Sequence, residues 1–116
     1  MATKNVVYKI VEPYAEALLE LAVSKGIIDQ VNNDMNTVSQ LLESSADLQK
    51  FLSNPLAQSE AKKKVISDIW GEQVTKTTLD FLMVLVNRGR IAFLDAVAEK
   101  YLELAYKQAS IEIATV

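Results

Sequence analysis

The residues with the clearest capacity for chemistry are three glutamates spaced four apart, Glu12, Glu16 and Glu20. On a helix this spacing puts their carboxylates on one face, and paired carboxylates can act as general acid and base when their environments differ. Nothing nearby creates such a difference. The 116 residues include no His and no Cys, so the commonest general base and the thiolate metal ligands are absent. The three glycines are isolated, so there is no phosphate-binding loop. The sequence therefore predicts no catalytic residues, no metal site and no cofactor.

A second candidate is the basic run Lys62–Lys64, which could contact nucleic-acid phosphates together with Arg88. Successive helix positions point about 100° apart, however, so three consecutive lysines fan out instead of forming one patch. The chain also has a net charge of −3 and a pI near 4.9, whereas nucleic-acid-binding domains usually carry a basic surface. A solvated helix surface explains the lysines better, and no nucleic-acid partner is expected. A free-standing helical nucleic-acid-binding bundle that uses Lys62, Lys63, Lys64 and Arg88 is the alternative hypothesis.

Six helices can be placed from apolar periodicity and from the residues that begin and end helices. Apolar side chains recur at three- and four-residue steps, Pro13 fits the first turn of a helix, and Ser45 is a suitable N-cap. Each of the three glycines follows a periodic segment, as C-terminal caps do. The predicted helices are Glu12–Lys25, Ile28–Leu42, Ala46–Leu52, Ser59–Gly71, a fifth that contains Leu79–Val86, and Ile91–Gln108. The predicted fold class is all-α, a six-helix bundle.

The last six residues, 111–116, alternate partly and contain β-branched side chains, which is typical of a strand. A single strand cannot satisfy its own backbone, so this strand-like tail is expected to lead into a missing second domain. The predicted organisation is an N-terminal helical-bundle domain over residues 1–110 and the start of a truncated C-terminal domain over residues 111–116. No apolar stretch approaches the roughly 20 residues that cross a bilayer, so no direct membrane insertion is expected.

Two of the helices carry more apolar surface than one buried side requires. In the first helix the apolar side chains span about 200° of the helical wheel, twice the stripe of a surface helix, and the excess edge is Tyr14, Ala17 and Leu21. In the fifth, Phe81 and Val84 project nearly opposite to the face expected in the core. That core face comprises Leu79, Leu82, Met83 and Val86. Both helices are central in the bundle, or they line a shared groove that admits another helix. The two interpretations are partly compatible, because one helix can face the core and the groove together.

Three short motifs resemble the delta subunit of F-type ATP synthase, whose mitochondrial counterpart is the oligomycin-sensitivity-conferring protein. The first is Pro13-Tyr14-Ala15-Glu16-Ala17-Leu18. The second is Leu52-Ser53-Asn54-Pro55 followed by the lysines at 62–64, and the third is Phe81-Leu82 with Arg88-Gly89-Arg90 and Tyr101. Each motif is short, but their order and spacing match from about Val7 to the end of the sequence. The sequence looks closest to the cyanobacterial or plastid type.

The resemblance implies a stator subunit that performs no chemistry and needs no cofactor. In this family the six-helix domain sits on the catalytic head and binds the N-terminal helix of an alpha subunit between its first and fifth helices, while the second domain joins the b-type peripheral stalk. Such a connector resists the torque of the rotor and so supports proton-driven ATP synthesis. The implied location is peripheral to an energy-transducing membrane on the catalytic-head side, either the bacterial cytoplasmic face or the stromal or cytosolic side of a thylakoid. Carried onto this sequence, the partner-binding residues are Tyr14, Ala17, Leu18, Leu21, Phe81, Val84, Leu85 and Arg88.

Overall fold

The computed structural model describes the backbone of residues 4–114 and the side chains of residues 6–109. Residues 4–114 form six α-helices and one 3₁₀ turn, with no strand, so the predicted all-α class is confirmed. None of these helices combines the length and the hydropathy needed to cross a bilayer. The helices are α1 Lys4–Lys25, α2 Ile28–Ser44, α3 Ala46–Ser53, α4 Ser59–Trp70, α5 Lys76–Asn87 and α6 Leu94–Ala114, and the 3₁₀ turn Ile91–Phe93 immediately precedes α6.

The core lies where α1 and α2 pack along α6. In addition, α4 packs on α5, and α3 covers the 3₁₀ turn. The helices α1 and α6 run side by side in the same direction, because Tyr8 and Phe93 line one cavity between them and Leu19 and Leu104 line another further along. One side of α2 is buried, and the largest fully buried side chains are those of Trp70 and Tyr101. The buried residues of α2 are Val31, Asp34, Met35, Val38 and Leu42.

The helix α1 begins at Lys4 instead of near Glu12, which corrects the predicted boundary. Pro13 therefore lies inside the helix, where it cannot donate a hydrogen bond to the carbonyl four residues earlier. A proline in a helix interior costs about 3 kcal/mol relative to alanine, so packing must outweigh this cost. Val11 is fully buried and Tyr8 packs against the core. The turns of α1 before Glu12 thus contribute apolar contacts, which local helix propensity does not include.

The backbone of residues 111–114 continues α6, so the strand predicted over 111–116 is wrong for these residues. Ile111 and Ile113 suggest a strand because their β-branched side chains favour extended backbone, but the propensity difference in a helix is only about 0.5 kcal/mol. Extending α6 satisfies each backbone N–H within the helix, which an isolated strand cannot do. Thr115 and Val116 lie outside the described residues, and the domain boundary at residue 110 stays a prediction.

The helix ends agree with the predicted cap residues. Gly26 and Gly89 follow α1 and α5 with φ angles of 69° and 71°, in the left-handed region that favours glycine. Ser45 is the N-cap of α3, and its hydroxyl accepts a hydrogen bond from the Leu48 N–H at 3.2 Å. Gly26 and Gly89 thus end α1 and α5, the two helices with excess apolar surface.

Candidate partner-binding face

On α1 the structure divides the four predicted partner-binding residues into an exposed edge and a buried one. Leu21 is 40% exposed, Ala17 is exposed, and Tyr14 is half-buried and packs against the core. Leu18 is only 1% exposed and belongs to the core. A partner on this side of α1 can therefore reach Tyr14, Ala17 and Leu21, whereas Leu18 supports them from below.

The helix α5 also divides, but not along the predicted line. Val84 is 44% exposed and Arg88 is exposed, whereas Phe81 is 9% exposed and Leu85 is fully buried. Phe81 therefore belongs to the core, which corrects the helical-wheel interpretation that it projects away from the core. Its contact with a partner stays a prediction. Thr78 is fully buried as well. At about 100° per residue, the buried side of α5 is rotated by roughly 80° toward Phe81 from the expected face.

The helices α1 and α5 approach each other at one end. Lys25 Nζ donates a hydrogen bond to Thr77 Oγ1 at 3.2 Å, which joins the last turn of α1 to the first turn of α5. Otherwise α1 packs mainly on α6, and α5 packs mainly on α4. We use the name α1/α5 face for the exposed or half-buried members of the predicted set, which are Tyr14, Ala17, Leu21, Val84 and Arg88.

A buried carboxylate on α2, which was not among the predicted residues, holds the start of α5. Asp34 is 6% exposed, and its Oδ2 accepts hydrogen bonds from the Thr75 N–H at 2.9 Å, from Thr75 Oγ1 at 2.8 Å and from Thr78 Oγ1 at 2.8 Å. Thr75 is also the N-cap of α5. Negative charge is favoured at this end of a helix. The available sequence signal was that Asp34 adjoins Met35 at the edge of an apolar stripe, where a charged residue is unusual unless it is paired.

A second buried polar contact joins α2 to α6. Tyr101 is fully buried, and its hydroxyl donates a hydrogen bond to Asn32 Oδ1 at 2.7 Å. Burial raises the pKa of Tyr101 from 10.0 to about 12, and the negative charge of Asp34 adds to this effect. Polar side chains at positions 32 and 34 of α2 thus hold both α6 and α5.

The carboxylates first considered for chemistry lie largely on the surface. Glu16 and Glu20 are exposed, and Glu12 Oε1 lies 3.6 Å from Lys100 Nζ. Within the part of the chain that the structure describes, no cluster of acidic side chains has an arrangement that could hold a metal ion. Glu16 and Glu20 are therefore solvated charges, and Glu12 forms an ion pair that joins α1 to α6.

Two lysines of the basic run form ion pairs along α4. Lys63 Nζ lies 3.7 Å from Glu60 Oε1, and Lys64 Nζ lies 3.3 Å from Asp68 Oδ2. Such pairs within one helix contribute only about 0.2–0.5 kcal/mol each, but each places a negative charge beside the cation. This arrangement favours the solvated-surface interpretation over a patch that binds phosphates.

Comparison with known sequences identifies one family in two ways. The family model described as ATP synthase delta (OSCP) subunit matches residues 10–116. The chain is 59% identical over 110 residues to the chloroplastic ATP synthase subunit delta of Ochrosphaera neapolitana. The aligned residues make up 95% of this chain and 62% of that protein. The chain is 50% identical over 116 residues to the chloroplastic subunit delta of Porphyra purpurea, with 100% of this chain and 62% of that protein covered.

A more distant relative belongs to a different kind of plastid. The cyanelle ATP synthase subunit delta of Cyanophora paradoxa is 40% identical over 116 residues, which cover 100% of this chain and 62% of that protein. The chain thus spans about three fifths of the length of these relatives. The family match and the identities agree with the resemblance seen in the sequence motifs. This chain belongs to the ATP synthase delta (OSCP) family.

Proposed function

We propose that this chain is a non-catalytic connector in the stator of an F-type ATP synthase, and that its α1/α5 face binds the N-terminal helix of an alpha subunit. The observation that carries the proposal is the presence of exposed aliphatic side chains on both helices, Leu21 on α1 and Val84 on α5, in a member of the delta family. Recognition of one helix by two others uses apolar anchors of this kind. Arg88, at the C-terminal end of α5, adds a cation at the rim.

The chemistry of the α1/α5 face defines the helix that it should accept. Covering the exposed part of one aliphatic side chain stabilises a complex by about 1 kcal/mol, at roughly 25 cal/mol per Å². Ala17 is small enough for a partner helix to approach closely, and the ring of Tyr14 offers a flat apolar border. An amphipathic helix with one apolar stripe therefore fits this face. A carboxylate on the flank of that helix would complement Arg88.

The remaining part of the proposal concerns the complete subunit. We infer that a second domain joins the b-type peripheral stalk, so that the subunit resists rotor torque and supports proton-driven ATP synthesis without taking part in the chemistry. The relatives compared above are chloroplastic and cyanelle subunits. We therefore assign the complex to a thylakoid membrane, with this subunit peripheral to the membrane on the catalytic-head side.

The proposal is tested by NMR titration of the isotope-labelled 116-residue chain with a peptide from the N-terminus of a chloroplast alpha subunit, about 20 residues long so that it can form a helix. We expect the amide signals of Tyr14, Ala17 and Val84 to shift. Val84→Ala should weaken binding by about 1 kcal/mol, because apolar burial is lost. Val84→Asp and Ala17→Asp should each weaken it by more than about tenfold, because each leaves an unpaired carboxylate in the interface.

Val23 provides a matched control on the same helix. It is 48% exposed, close to the 44% exposure of Val84, but it points about 160° away from Leu21 around α1. Val23→Asp should therefore leave peptide binding unchanged. The proposal would be contradicted by a titration that shifts no signals in α1 or α5. It would also be contradicted if Val23→Asp and Val84→Asp lost affinity equally.

A further inference from the structure

We propose that Asp34 is a positioning residue for partner recognition. It holds the first turn of α5 and thereby determines the position of the Val84 side chain relative to α1. This inference rests on the proposed function of the α1/α5 face. Asp34 is not itself part of that face, since it lies on α2 and is 6% exposed. Its carboxylate can influence a bound helix only through the placement of α5.

Three hydrogen bonds to one oxygen atom hold the first turn of α5. Asp34 Oδ2 accepts from the backbone N–H and the hydroxyl of Thr75, at 2.9 and 2.8 Å, and from the hydroxyl of Thr78 at 2.8 Å. The Thr75 donors fix the position of the N-cap, and the Thr78 donor, almost one turn later, fixes the rotation of the helix. The charge on the acceptor makes such bonds shorter and stronger than those between neutral groups.

The same turn is also attached to α1. Thr77 lies between the two threonines bound to Asp34, and its Oγ1 accepts a hydrogen bond from Lys25 Nζ at 3.2 Å. Side chains from α1, α2 and α5 therefore meet at the start of α5. From Thr77 to Val84 the helix rises about 10 Å, so a tilt of about 10° at the first turn would displace Val84 by about 2 Å. A displacement of that size is enough to disrupt close apolar packing.

The rest of α5 does not depend on this carboxylate for its burial. Leu82 and Leu85 are fully buried, and α5 packs along α4. We therefore expect α5 to remain helical and in contact with the core when the Asp34 charge is removed, while the direction of the helix becomes less restricted. Folding and positioning can then be measured separately.

The test compares Asp34→Asn with the wild-type chain. Asparagine keeps the size of the side chain but removes its charge and replaces one acceptor oxygen with a donor. The apparent affinity for the alpha-subunit peptide should fall about tenfold, as it does when only about one tenth of the molecules hold the binding geometry. In the free chain the methyl signals of Val84 should shift, whereas those of Leu56, exposed in the loop between α3 and α4, should not.

Asp29→Asn is the matched control, because Asp29 is an exposed carboxylate on the same helix, and it should retain the wild-type affinity and spectrum. Thr78→Val removes one of the three donors at similar volume. It should shift the Val84 methyl signals in the same direction as Asp34→Asn does, and it provides the test if Asp34→Asn does not fold. The inference is overturned if Asp34→Asn unfolds more readily but keeps both the wild-type affinity and the Val84 signals. If the wild-type chain does not bind the peptide, the proposed function fails, and the Val84 signals of the free chain still decide whether Asp34 positions α5.

Discussion

The buried hydroxyl of Tyr101 leads to a prediction about stability at high pH whose sign and size can both be worked out. The side chain has no exposed surface, and its hydroxyl donates a hydrogen bond to Asn32 Oδ1 at 2.7 Å. Tyr101→Phe removes this bond and should lower the free energy of unfolding by about 1 kcal/mol at neutral pH. Asn32 is half-buried and remains within reach of solvent, so a larger loss is not expected.

At high pH the same hydroxyl favours unfolding. Its pKa is raised from 10.0 to about 12 in the folded protein, so the folded state resists an ionisation that the unfolded state undergoes. The contribution to stability is complete below the unfolded-state pKa and is lost as the pH rises through the folded-state pKa, by about 1.4 kcal/mol at pH 11 and about 2.3 kcal/mol at pH 12. Tyr101→Phe has no such loss. The stability curves of the two proteins should therefore cross between about pH 10.5 and 11.

Urea unfolding followed by the fluorescence of Trp70, the single tryptophan and a fully buried one, measures this difference from about pH 8 to about pH 11.5. The matched control is Tyr106→Phe, because Tyr106 lies on the same helix but is 74% exposed. Comparison at each pH cancels the contributions of groups that the variants share, and the control curve should stay parallel to that of the wild type. A difference between Tyr101→Phe and wild type that stays constant up to pH 11 would refute the reasoning.

Two further predictions test the places where the structure departs from the sequence pattern. Pro13→Ala should raise the free energy of unfolding, measured with urea, by about 1–2 kcal/mol. The helix interior gains a hydrogen bond, and this gain exceeds the added freedom of the unfolded chain. No gain in the free energy of unfolding would indicate that α1 begins near Glu12. Phe81→Ala should lower the free energy of unfolding by about 3 kcal/mol, whereas Val84→Ala should change it by less than about 0.5 kcal/mol. Similar losses in these two variants would contradict the assignment of Phe81 to the core and of Val84 to the surface.

Most helix ends could be predicted from the sequence because caps act over only a few residues. Ser45 satisfies an N–H at the start of α3, and Gly26 adopts the positive φ that ends α1. Gly71 also follows a helix as predicted, but it keeps a right-handed conformation, and an added Cβ would collide with the carbonyl oxygen of Ser67. The position of that helix end was correct, although glycine is needed there for space and not for a positive φ.

The start of α1 and the last turn of α6 could not be predicted in the same way, because local residue preferences point to other boundaries there. Pro13 is a strong local signal for a first turn, yet the burial of Val11 on the preceding turn favours a longer helix. At the other end, the β-branched side chains of residues 111–114 favour a strand only weakly. The first signal omits the free energy of packing around Val11, and the second omits the hydrogen bonds that the backbone of residues 111–114 gains by continuing α6.

The rotation of α5 could not be predicted for a different reason, and it matters most for the candidate site. A helix that is apolar on nearly every side gives the helical wheel no unique buried face, and Thr78 carries no hydrophobic signal. Thr78 is nevertheless fully buried, because its hydroxyl is satisfied by Asp34, 44 residues earlier in the chain. Neither residue alone predicts the other. Asp34 and Thr78 are buried together on the side of α5 that also carries Phe81, whereas Val84 remains exposed. The proposed role of Asp34 follows from this arrangement, because the polar pair and the apolar residue that would meet a partner lie on different sides of one helix.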